Sequence, residues 1–137
     1  MAPRRAQTPT FDPRSQAREH ALSLLYEAET KDCSGREILA TLVVPPDELT
    51  RVLVEGVVDN QIELDRIIGE HASGWTMDRM PALDRSILRL GAFELLYRNE
   101  TPVAVVLDEA VELAKTFSTD DSGRYVNGVL AAIARSR

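Results

Sequence analysis

This 137-residue chain has little with which to build a covalent or metal crosslink. Cys33 is its only cysteine, which excludes an intrachain disulfide and fits the reducing cytoplasm. The two histidines, His20 and His71, fall in different predicted helices, and neither has an acidic neighbour at the spacing of a helical metal site. No metal and no cofactor is therefore expected. No apolar run approaches the ~20 residues of a membrane span, and no apolar segment follows the first arginines as a secretory signal would require. G-x-S-x-G, G-x-G-x-x-G and Walker patterns are all missing, so the sequence proposes no reaction and no enzyme is expected.

Lysine is nearly absent as well. Of 16 basic residues all but Lys31 and Lys115 are arginine, and the chain carries a net charge of −6. That balance argues against binding nucleic acid through bulk electrostatics. The charge is unevenly spread, because residues 1–18 hold Arg4, Arg5, Arg14 and Arg18 against a single acid, Asp12. Guanidinium groups pair with phosphate and stack on bases, so a local arginine patch suits RNA even on an acidic body. A solvated tail is the alternative reading. Residues 1–12 are expected to be a flexible basic arm.

What is present is helical periodicity. Asp12-Pro13 pairs an N-cap with proline at the first helical position, and Ala17, Ala21, Leu24, Leu25 and Ala28 follow as one stripe, predicting a helix over 13–30. Ser34 and Glu37 have capping-box spacing ahead of Ile38 and Leu39. Residues 47–72 carry an amphipathic stripe for one or two helices, and the following loop offers Trp75 as a core anchor. Residues 81–98 are apolar on two sides, the pattern of a buried central helix. Val103 to Leu107 is β-branched, yet Val103, Val106, Ala110, Ala114 and Phe117 keep helical period, which favours helix. "STDDS" then caps a last helix bearing Val126, Val129, Leu130 and Ile133. The expectation is an all-α fold of six to seven helices in one domain, 13–137.

Charged clusters read mostly as surface. Asp108 and Glu112 share a face with Glu109 beside them, a solvated face or a partner contact rather than an acid/base pair. The Asp-Arg doublets at 65–66, 78–79 and 84–85 read as surface or inter-helix ion pairs. Asn127-Gly128 is the odd feature, since Asn-Gly is a hairpin signal and glycine weakens a helix. Close approach of another backbone would explain Gly128, while Asn127 either reads a base edge or is satisfied within the fold.

The segments "AREHALSLLYEAE" (17–29), "GWTMDRMPALDRSILRLGAFELLY" (74–97), "PVAVVLDEAVELAKTFSTDDS" (102–122) and "RYVNGVLAAI" (124–133) together resemble the NusB family of bacterial transcription antitermination factors. The resemblance implies two packed helical bundles, 13–73 and 78–137, without catalytic activity. It implies binding of the single-stranded boxA element of ribosomal RNA leader transcripts together with ribosomal protein S10 (NusE). The setting it implies is the RNA polymerase antitermination complex with other Nus factors, and some relatives form homodimers. Carried over by position, the RNA-binding residues are Arg14, Arg18, Tyr26, Asp121, Arg124, Tyr125 and Asn127, with Arg4 and Arg5 as weaker candidates. Asp84 matches an acidic position of the surface for the ribosomal protein. Two departures stand out: Ser15 and Gln16 occupy positions where several relatives carry arginine, and Tyr125 stands where phenylalanine is common. Asp121 either accepts from a base amino group or caps the helix. Two other readings stand beside this one. The first is a helical adaptor acting through homodimerisation with negligible RNA binding. The second is the helical domain of an RNA cytosine methyltransferase, against which stands the lack of any cofactor-binding βαβ pattern.

Overall fold

The computed structural model describes residues 12–137, which form seven α-helices and no strand. Helix α1 (Pro13–Thr30) begins where Asp12 Oδ1 accepts from the Arg14 N–H at 2.9 Å, ahead of the expected proline. Helix α2 (Gly35–Thr41) carries the complete capping box: Ser34 Oγ accepts from the Glu37 N–H at 3.1 Å and Glu37 Oε1 from the Ser34 N–H at 2.8 Å. The long stripe resolves into two helices, α3 (Glu48–Asp59) and α4 (Gln61–His71). Asn60 separates them, and its side-chain amide donates to the Gly56 carbonyl at 2.8 Å. The same carbonyl accepts from the Asn60 N–H at 3.1 Å, so the side chain adds a second bond to it where the chain turns into α4.

Helix α5 (Ala82–Tyr97) is the central element, packing against α1, α3, α4, α6 (Val103–Phe117) and α7 (Asp120–Ser136). Its two apolar sides explain this position: Ile87, Leu88, Leu90, Ala92 and Leu95 are all buried, facing helices on both flanks. The β-branched run 103–107 is helical, as the period of its apolar residues required. One cluster of buried side chains runs from α1 to α7.

Glycine sets two of the contacts around α5. A Cβ on Gly56 would fall 2.0 Å from Phe93 Cζ, and one on Gly91 would fall 2.5 Å from Leu130 Cδ1. Only hydrogen fits at these points, so α3 and α7 approach α5 closely. Trp75 does not anchor the loop before α5, because it is 44% exposed. Met80 is buried there instead, and Arg85 donates to the carbonyls of Met77 and Met80, both at 2.7 Å. Among the described residues, no helix is long and apolar enough to cross a membrane.

Candidate nucleic-acid interface

The start of α7 divides its residues by helical period. Ser122, Gly123, Val126, Val129 and Leu130 are buried, whereas Asp121, Arg124, Asn127 and Gly128 are exposed. Steps of three place Asp121, Arg124 and Asn127 in one strip. Thr119 caps the helix, its Oγ1 accepting from the Ser122 N–H at 2.9 Å. Asp121 and Arg124 form an ion pair with side chains 86% and 74% exposed, a geometry that adds little stability. With Asp120 and Asp121 in the first turn, the positive end of the helix dipole is met by the chain's own acids, which leaves no anion site there. Beside the strip, α6 and α7 enclose a groove of about 770 Å³ lined by Asp108, Glu112, Lys115, Asp120, Arg124 and Asn127.

Tyr125 sits at the edge of this strip. Its ring is half-buried against the core, and its hydroxyl is buried without a hydrogen-bond partner. Burial first, and the Asp84 carboxylate second, hold its pKa above that of an ordinary tyrosine.

Two expected contact residues are not on the surface. Arg18 is only 4% exposed: its Nε and NH2 groups donate to Glu94 Oε1 and Oε2 at 2.8 and 2.9 Å, a bidentate pair across α1 and α5. Its NH1 reaches Glu109 Oε1 on α6 at 3.4 Å, and Ser15 Oγ donates to the other Glu109 oxygen at 2.9 Å. Burial acts to lower the Arg18 pKa, but Glu94 and Glu109 outweigh it and raise the pKa overall. Arg18 therefore ties three helices together and presents no guanidinium to RNA. The signal was its place among Ala17, Ala21, Leu22 and Leu25 on the inner side of α1, just as Glu94 sits inside the apolar run of α5.

Asp84 is the second correction. It is 5% exposed, and its Oδ2 accepts from Ser122 Oγ at 2.9 Å across α5 and α7. A carboxylate enclosed in that way belongs to the inter-helix contact and not to a partner-facing surface.

The remaining candidates are distributed. Arg14 is exposed in the first turn of α1, and Tyr26, 38% exposed, lies on the same helix. Twelve residues separate them, about 18 Å along the axis and roughly a third of a turn apart. α5 packs against both α1 and α7. Arg4 and Arg5 lie outside the described residues. Gly128 meets nothing within 4 Å of where a Cβ would stand, so close approach of a backbone does not account for it. The acidic cluster splits: Glu109 faces Arg18, while Asp108 and Glu112 line the groove. The doublets divide: Asp65 accepts from Arg89 at 2.7 Å and Arg85 is bonded to Glu29, both between helices, whereas Arg66 pairs with Glu63 and Glu70 on its own exposed helix face and Asp78 accepts from Thr76 within the loop. Among the described residues no group of three His, Cys, Asp or Glu is placed to hold a metal ion.

This arrangement of helices has known counterparts. The sequence pattern of the NusB family matches residues 15–135. The chain belongs to the NusB family. That family is one of transcription antitermination factors, not of enzymes. The transcription antitermination protein NusB of Saccharopolyspora erythraea is 50% identical over 127 residues, covering 88% of this chain and 86% of the relative. Among solved structures, NusB of T. maritima superposes with a TM-score of 0.83 at 30% identity, over 92% of this chain and 93% of that one. The antitermination factors NusB and NusE in complex with dsRNA superpose with a TM-score of 0.78 at 27% identity, over 90% of this chain and 97% of that one.

Proposed function

We propose that this chain is a cytoplasmic, RNA-binding antitermination factor that engages the boxA element of ribosomal RNA leader transcripts together with ribosomal protein S10 (NusE). It acts within an RNA polymerase antitermination complex containing other Nus factors. The observation that carries the reading is the surface at the start of α7: the half-buried ring of Tyr125 next to exposed Arg124 and Asn127, in a chain of the NusB family. Single-stranded RNA is recognised when unstacked bases meet aromatic or guanidinium planes and when amides reach base edges. Tyr125 supplies an aromatic ring, Arg124 a planar cation and Asn127 both a donor and an acceptor. Asp121 holds Arg124 in orientation and is itself able to accept from a base amino group. Arg14 and Tyr26 on α1 extend the contact, with Arg4 and Arg5 before them. Arg18 leaves this set and supports it from beneath, by fixing α1 against α5 and α6.

The decisive measurement is a mixing experiment with boxA RNA, the ribosomal protein, and both together. Tyr125→Ala is expected to weaken RNA binding by about 1–3 kcal/mol, the size of one lost base–aromatic stack, with the fold intact by circular dichroism. Unchanged affinity in the folded variant removes the stacking role. Light scattering with and without RNA separates this function from that of a homodimerising adaptor, whose mass would not respond to RNA.

A further inference from the structure

Two buried polar atoms around α7 have no hydrogen-bond partner: Asp84 Oδ1 and the Tyr125 hydroxyl. Asp84 lies in the first turn of α5, and its other oxygen already accepts from Ser122 Oγ at 2.9 Å. Ser122 is itself fixed, since its N–H donates to Thr119 Oγ1 and its hydroxyl lies 2.9 Å from Ser118 Oγ. Ser122 and Tyr125 are three residues apart and share a side of α7. Asp84 thus engages one hydroxyl on that side with one oxygen and keeps the other buried and unpartnered, as the Tyr125 hydroxyl on the same side is. Its charge reaches the phenol and adds to burial, the larger cause, in raising the pKa of Tyr125.

A buried carboxylate oxygen and a buried phenol are each unfavourable alone and complementary together, an O–H donor before an anionic acceptor. We propose that Asp84 is a positioning residue for RNA recognition: its free oxygen accepts from the Tyr125 hydroxyl in the RNA-bound state and fixes the plane of the ring at the surface of α7. Asp84 acts from inside the fold, through Tyr125, and touches neither RNA nor the ribosomal protein. The inference rests on the reading of Tyr125 as a base-stacking residue.

The test is a double-mutant cycle on affinity for boxA RNA, using Asp84→Asn, Tyr125→Phe and the combination, with Tyr125→Ala as reference. Each single change is expected to weaken binding about five- to tenfold, the size of one hydrogen bond, and the combination no further. Affinity for the ribosomal protein alone should stay unchanged in Asp84→Asn. Two results would overturn the inference: losses that multiply in the combination, or full RNA affinity in folded Asp84→Asn. If Tyr125→Ala itself binds normally, the stacking reading has failed first, which is a distinguishable result. A second readout does not depend on how Asp84→Asn folds. In the RNA-bound wild-type protein the Tyr125 hydroxyl proton should exchange slowly with solvent by NMR, and rapid exchange refutes the bond.

Discussion

Arg18 and Arg124 are the same residue type, each in an early turn of its helix and each paired with a carboxylate, yet they end in opposite environments. Arg18 is 4% exposed and shares two carboxylates with α5 and α6, whereas Arg124 has a side chain 74% exposed and pairs only within its own first turns. The difference teaches that an arginine count near a helix start says nothing about which guanidiniums are displayed. The apolar neighbours of Arg18 draw it inward, where desolvation makes a bidentate partner obligatory. The neighbours of Arg124 on its strip are Asp121, Asn127 and Gly128, so nothing draws it in.

The strongest way to break this comparison is Glu94→Gln. It leaves the buried Arg18 charge with only Glu109, and should destabilise the fold by about 3 kcal/mol, the lower end for a broken buried pair because one carboxylate remains. Denaturant unfolding measures it; a loss within about 0.5 kcal/mol, on the order of a surface change, would place Arg18 among the exposed arginines after all.

A second contrast sets Gly56 against Gly128. Gly56→Ala forces a methyl into the Phe93 ring and should cost about 1–3 kcal/mol, while Gly128→Ala, in open space on a helix, should stabilise by up to about 1 kcal/mol. Thermal melts of the two variants should therefore move in opposite directions. If Gly128→Ala also weakens RNA binding, the missing side chain is a functional feature of the strip.

The alkaline limb sharpens the position of Tyr125. Its folded pKa is raised, so its contribution to stability is fully present below the ordinary tyrosine pKa of about 10. Above that, the unfolded chain loses the proton while the folded chain keeps it, and stability falls as pH rises through the folded pKa. Tyr125→Phe should be less sensitive to pH across that window in urea titrations. The smallest effect belongs to Arg124→Ala, within about 0.5 kcal/mol on stability, though it should reduce the salt slope of RNA binding by about one.

Much of the fold is legible in the order of residues. Asp12-Pro13, the Ser34/Glu37 box and Thr119 all start helices where their spacing predicts, because capping is a local matter of side-chain oxygens and unpaired N–H groups. The two-sided apolar pattern of α5 correctly marks it as central. The candidate site is less legible. Asp121, Arg124 and Asn127 are exposed, but Arg18 and Asp84 are buried, and Trp75 yields its anchoring place to Met80. Gly56 and Gly91, and not Gly128, are closely approached, and by the side chains of Phe93 and Leu130 rather than by a backbone.

What the order of residues determined by itself was therefore the all-α class, the starting points of the capped helices and the family to which the chain belongs. All of these depend on spacings within about one turn, or on matches that survive without coordinates. Only the tertiary structure decided which charged side chains face water. Glu94 lies 76 residues from Arg18, and Ser122 lies 38 from Asp84, so each pair exists only after α5 has been packed between its neighbours. Burial of a charge is settled by a distant partner that meets its hydrogen-bonding needs, and no local pattern contains that information.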